Sequence, residues 1–247
     1  NFDNFGKTIF RMIAGKLGWT VKEGERHTDT LLRSLALYNL GAYGNKEILE
    51  KAKEMFRMMV ESKTPIHPDL RETVYSLVAR NGGLAEYEMF LKLHSEAELQ
   101  EEKNRIEEAV AGFRDEELIK RALEFSISPA VRPQDTTFLI GRVFRNSGFR
   151  HLAWEFIKSD WTLLYGRFSK ESGSGNLLSR LIGFMDGFAT YAMADEIERF
   201  FRKHPVPEAL RTIEQVLEKI RARAYWFERE KFDIQKWFDK YRANPVR

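Results

Sequence analysis

Apolar residues return at three- and four-residue steps along almost the whole chain, a spacing that places them on one face of α-helices. Phe2, Phe5, Ile9, Ile13 and Leu17 form the first stripe, which ends near Gly18. Leu31, Leu32, Leu35 and Leu40 form a second after the polar turn from Lys22 to Asp29, and Gly41 to Gly44 breaks it. Ile48, Ala52, Met55, Phe56 and Met59 form a third, stopped by Thr64-Pro65-Ile66-His67-Pro68. Pro68 suits the first turn of the next helix, where a missing N–H loses no hydrogen bond. Leu70, Val74, Leu77 and Val78 carry that helix to Asn81-Gly82-Gly83, a stop that tolerates left-handed backbone.

The pattern continues downstream. Tyr87, Phe90 and Leu91 share one helix, Ile106, Ala109 and Val110 the next, and Leu118, Ala122 and Phe125 another. Pro133 opens a helix over Phe138 to Phe144 that Gly148 ends. Leu152 to Phe168 reads as two helices, or as one bent at Ser159-Asp160. Ser172-Gly173-Ser174-Gly175 is the loosest connection and the expected mobile loop. Helices follow around Leu177 to Met185 and Ala189 to Phe201. After His204-Pro205-Val206-Pro207 a long stretch carries Leu210, Ile213, Val216, Leu217, Ile220, Trp226, Trp237 and Phe238. The count is roughly fourteen helices joined by short loops. Antiparallel pairs of about 35–40 residues predict an all-α fold, an α-solenoid superhelix of the HEAT/armadillo kind. No linker is long or polar enough to demand two domains, so residues 1–247 are expected to form a single helical domain. A solenoid of this kind has a concave face, and function is expected there.

Composition excludes several function classes. The chain has no cysteine, which rules out disulfides and thiolate metal sites and fits a reducing, cytoplasmic compartment. Its 40 Lys and Arg against 37 Asp and Glu leave a net charge of +3, and no basic block stands out, so nucleic acid is not an expected partner. No apolar run approaches the ~20 residues that span a bilayer, and no signal peptide opens the chain; a membrane is not an expected partner either. The first residue is Asn1 rather than methionine, a hint of a fragment or a processed product.

Catalytic patterns are missing from the residues. Zinc peptidases use H-E-x-x-H because histidines four apart share a helix face and reach one metal. None of the five histidines has that spacing. His151 and Glu155 are four apart, yet read as an ordinary helix-surface pair. His27, His67, His94 and His204 fall at turns and helix ends, where solvent exposure or capping explains them. Gly173 and Gly175 are followed by no Lys-Ser/Thr, so they make no phosphate loop, and no nucleophile elbow is present. Neither a catalytic residue nor a metal ligand is assigned to this chain, and it is expected to hold no cofactor itself.

The order of short blocks carries more information than any one of them. Leu17-Gly18-Trp19 is followed by a Glu/Arg-rich turn and Thr30-Leu31-Leu32-Arg33, with Gly41, Ala52 and Phe56 beyond. Ile66-His67-Pro68-Asp69-Leu70-Arg71 precedes Val74-Tyr75 and Gly82-Gly83. Then come Val131-Arg132, Gln134-Asp135, Arg145-Asn146, Leu152-Ala153-Trp154 and Trp161. This succession resembles the C-terminal helical domain of the gluzincin zinc aminopeptidases, the puromycin-sensitive, endoplasmic-reticulum and tricorn-interacting-factor type. Ser159-Asp160 stands where that family usually has an asparagine before the tryptophan. The family's zinc site and its Gly-x-Met-Glu-Asn exopeptidase loop are not in this sequence.

The resemblance implies an N-terminally truncated C-terminal domain of a larger enzyme, whose zinc would be bound elsewhere. Such a domain forms a bowl against the catalytic domain of the same polypeptide, limits access to the chamber and contacts the distal part of a peptide substrate. By position in the motif, Arg145 is the candidate carboxylate-binding arginine, with Arg132, Gln134 and Arg142 as neighbours on the same helix or at its start. Arginine suits that task because its planar fork of donors matches a carboxylate. Alternatively, Gln134-Asp135 caps the helix opened by Pro133, and Arg142 and Arg145 are solvated or ion-paired. Arg33 and Arg71 are expected in structural salt bridges between adjacent helices, and Leu152, Trp154 and Trp161 in the core. The alternative for the whole chain is a stand-alone HEAT-like scaffold that binds a protein or peptide on its concave face. An exposed apolar face on the first helix (Phe2, Phe5, Ile9) would favour the enzyme domain, because a cut solenoid leaves such a patch.

Overall fold

The first apolar stripe folds as helix α1, Phe2–Leu17, in the computed structural model of the chain, which describes residues 2–169 and 175–243. It is followed by α2 (His27–Ala42), α3 (Lys46–Ser62), α4 (Pro68–Asn81), α5 (Leu84–Glu96), α6 (Gln100–Val110) and α7 (Glu116–Ser126). Then come α8 (Pro133–Arg145), α9 (Arg150–Ser159), α10 (Trp161–Ser169), α11 (Gly175–Gly183), α12 (Tyr191–Lys203) and α13 (Leu210–Ala243). Short 3₁₀ turns at Phe184–Gly187 and Pro207–Ala209 precede α12 and α13. The described residues contain thirteen α-helices and no strand, so the chain is all-α. The expected loop at 172–175 lies, up to residue 174, outside the described residues.

Local chemistry explains the boundaries. Asn45 caps α3 by accepting the Ile48 N–H at 3.1 Å. Pro68 and Pro133 sit in the first turns of α4 and α8, and the His67 ring accepts the Asp69 N–H at 3.3 Å. Thr190 caps α12 through the Met193 N–H. The stretch from 150 to 169 is two helices: the Asp160 N–H closes α9 on the Phe156 carbonyl, and Asp160 itself accepts from Leu164 to start α10.

The chain divides into two compact units, Asn1–Leu118 and Ile119–Arg247. In the first, α1 packs on α2, α3 and α2 both pack on α4, and α4 and α5 both pack on α6. Phe56 and Phe90 meet at 4.7 Å between ring centroids, with Tyr75 edge-on to both, and all three are buried. Each such burial contributes roughly 1.5–3 kcal/mol. Arg33 is 1 % exposed; it reaches the Leu17 carbonyl and holds the carboxylate of Glu25 with both terminal nitrogens. Arg71 joins α4 to α6 through Glu102 at 3.1 Å. The Arg71 bridge joins two packed helices, as expected, whereas Arg33 pairs with Glu25 in the turn before its own helix. His94 is not at a solvated helix end: it is buried against Glu107 at 2.9 Å, which ties α5 to α6.

In the second unit, α8 packs on α9 and α11, and α13 on α11 and α12. Trp154 and Trp161 are buried, both edge-on to Phe200, while Leu152 is only half-buried. The indole N–H of Trp154 donates to Glu196 at 2.8 Å, so its one polar atom is satisfied. Ile213, Val216, Leu217, Ile220 and Ala224 bury the first part of α13, whereas Tyr225, Trp226, Phe227, Phe232 and Trp237 beyond it are exposed.

Candidate functional site

The last turn of α8 delivers Arg145 to an open cavity of about 530 Å³ inside the second unit. Asn146 closes α8 by donating its N–H to the carbonyls of Arg142 and Val143, and the turn through Gly148 lets α9 begin at Arg150. Arg145 and Arg150 thus flank one short connection. Two further arginines come from elsewhere in the unit, Arg180 from α11 and Arg223 from α13. The 3₁₀ turn contributes Phe184, Asp186 and Gly187.

Four guanidinium groups share this cavity with a single carboxylate, Asp186. That carboxylate is already engaged, by Lys219 at 3.3 Å and Arg223 at 3.4 Å. Arg150 donates to the Gly187 carbonyl, while its Nε–H is buried with no hydrogen-bond partner among the described residues. Burial, and then the neighbouring Arg223, push the Arg150 guanidinium below its usual range, with Asp186 opposing in part. Arg145 lies over the Phe184 ring at 5.0 Å and Arg180 over the Phe138 ring at 4.6 Å. A guanidinium stacked by its face keeps its N–H donors in plane for an acceptor. The lining of the cavity therefore carries an excess of positive charge.

The four residues singled out in the sequence separate here. Arg145 lines the cavity; Arg132, Gln134 and Arg142 do not. Arg132 precedes α8 and donates to Asp135 at 2.6 Å, and Gln134 is exposed in the first turn. Thirteen residues at 1.5 Å rise put Arg132 about 20 Å along the helix from Arg145. Arg142 is half-buried one turn before Arg145. Sequence reasoning missed Arg150, Arg180, Arg223 and Asp186. Only Arg150 had a signal, through its nearness to the Arg145-Asn146 block.

Among the described residues, no group of three or more His, Cys, Asp or Glu is placed to hold a metal ion. His151 is exposed and Glu155 pairs with Lys158 at 2.8 Å, the arrangement of an ordinary helix surface. No described helix is long and apolar enough to cross a membrane.

A family model described as the ERAP1-like C-terminal domain matches residues 1–222. Aminopeptidase M1 of Arabidopsis thaliana is 32% identical over 226 residues, covering 89% of this chain and 25% of the relative. Aminopeptidase M1-A of Oryza sativa subsp. japonica is 32% identical over 222 residues, 87% of this chain and 24% of that protein. Glutamyl aminopeptidase of Mus musculus is 28% identical over 229 residues, 92% of this chain and 24% of that protein. The chain spans about a quarter of the length of these relatives.

Proposed function

The chain belongs to the ERAP1-like C-terminal domain family, and from that premise we propose that it serves as one helical domain of a zinc aminopeptidase, closing over the catalytic chamber and holding the distal end of peptide substrates. Its partners are the catalytic domain of the same polypeptide and the peptide itself. The zinc and the hydrolytic groups belong to that other domain. A HEAT-like bowl, with its concave side toward the chamber, is the arrangement this role calls for.

The observation that carries this reading is the cavity at Arg145, where four arginines meet one engaged carboxylate. A peptide chain ends in a carboxylate, and a stacked guanidinium offers it two parallel charge-assisted hydrogen bonds. Contacts at the far end of a substrate position the scissile end without touching it. The face of α1 supports the enzyme-domain reading over a stand-alone scaffold: Phe2, Ile9 and Met12 are 57 %, 47 % and 79 % exposed, while Phe5 is half-buried. Such a stripe is what a helix presents when it serves to pack on more of the same polypeptide.

The test uses the whole enzyme. Arg145→Ala is expected to raise KM for peptides with a free C-terminus while leaving single-residue amide substrates unchanged. Equal effects on both substrate classes would remove Arg145 from peptide binding.

A further inference from the structure

The charge in the Arg145 cavity exceeds what one carboxylate requires. Asp186 is held by Lys219 and Arg223, and Arg150 is anchored on the Gly187 carbonyl. Arg145 and Arg180 are left, each stacked on a phenylalanine, and among the described residues neither is ion-paired or hydrogen-bonded through its side chain. The two rings under them, Phe184 and Phe138, are themselves in edge contact at 6.5 Å. One aromatic platform therefore carries two separate guanidinium groups, one from α8 and one from α11. A ring face leaves each guanidinium its in-plane donors, so the platform presents two anion forks rather than one.

We propose that this pair binds two carboxylates at once, so that the cavity selects peptides whose C-terminal residue is itself acidic. Arg145 takes the main-chain carboxylate and Arg180 the side-chain carboxylate of a terminal Glu or Asp. A cavity of about 530 Å³ accommodates a terminal residue with its side chain. The inference rests on the reading of this cavity as a peptide-carboxylate site and adds the identity of the terminal residue.

The test titrates the 247-residue chain with three fluorescent tetrapeptides that differ only at the end: Glu with a free acid, Gln with a free acid, and Gln amide. The Glu acid is expected to bind about tenfold tighter than the Gln acid, the scale of one additional charge-assisted pair. Arg180→Gln should bring that ratio close to one, and the ratio rather than either affinity alone is the readout. Thermal melting checks that this variant is folded. Should it not fold, Phe138→Leu, which removes the ring beneath Arg180, is read in the same way. Equal binding of the Glu and Gln acids overturns the two-carboxylate inference but leaves the carboxylate site standing. A Glu preference that survives Arg180→Gln overturns the role given to Arg180. No difference among the three peptides overturns both the inference and the reading beneath it.

Discussion

Gly141 on α8 lies against the ring of Phe184 so closely that an added Cβ would meet the ring carbon Cδ2 at 2.4 Å. Phe184 in turn carries Arg145. A glycine in the middle of a helix normally weakens it, so its presence here reflects the space the ring needs. Gly141→Ala is therefore expected to destabilise the protein by about 1–3 kcal/mol, as overpacking does, despite the better helix propensity of alanine. Gly166 on α10 is the control, since nothing lies within 4 Å of an added Cβ there. Gly166→Ala should be neutral or stabilising by roughly 0.5–1 kcal/mol. Urea unfolding of the two variants measures both; a neutral Gly141→Ala would show that the ring moves aside freely.

The helices were legible in the sequence because their signals are local. Pro68 and Pro133 mark first turns wherever the rest of the chain goes, and an apolar stripe needs only its own periodicity to be read. Arg145 was reached through a motif. Its companions were not: Arg180 and Arg223 lie 35 and 78 positions further on and meet it only because α11 and α13 pack in the same unit. A guanidinium held over a ring by the fold has the same sequence signature as one in solvent. The grouping of Arg132 and Gln134 with Arg145 followed from shared helix membership, which says nothing about distance along the axis. His94 was misplaced for a related reason, since its partner Glu107 stands on the following helix.

Glu25 supplies a pH prediction. The Arg33 guanidinium, the Lys22 N–H and the Thr30 hydroxyl all donate to its carboxylate and hold it down at about 2. A carboxyl lowered on folding stabilises the protein above its unfolded value, and that contribution disappears as pH falls toward the folded value. The window thus runs from the ordinary glutamate value of about 4.3 down to about 2. Glu25→Gln is expected to lower the melting temperature at pH 7 and to flatten its decline between those limits. Parallel pH profiles for the variant and the parent chain would show that the Arg33–Glu25 pair does not couple folding to protons.

Trp154 tests the core of the second unit. It is 1 % exposed, and its N–H shares the Glu196 carboxylate with Lys158, which donates at 2.7 Å. Trp154→Ala should cost roughly 3–5 kcal/mol through lost burial and the cavity left behind. Trp154→Phe keeps most of the ring volume and leaves Glu196 with its lysine, so its cost should be less than half as large. Chemical denaturation separates the two. Similar losses for both would mean that the indole hydrogen bond, rather than packing, supports this site.

The far part of α13 separates helix formation from packing. Ala224 is 1 % exposed, yet Trp226, Phe227, Phe232 and Trp237 just beyond it are about half exposed or more. A helix stabilised by an apolar face depends on burial of that face, and exposed residues contribute little to the stability of the body. The stacked pair Trp237 and Tyr241, with centroids at 5.5 Å, gives the segment contacts of its own. Truncation after Ala224 is therefore expected to reduce the far-UV helical signal while changing stability by about 0.5 kcal/mol or less. In a chain of this size that corresponds to a melting shift of roughly 1–2 °C. Binding of a hydrophobic dye should fall at the same time, because several large aromatic surfaces leave with the segment. A drop of many degrees on truncation would instead mean that this aromatic face packs back on the body in solution.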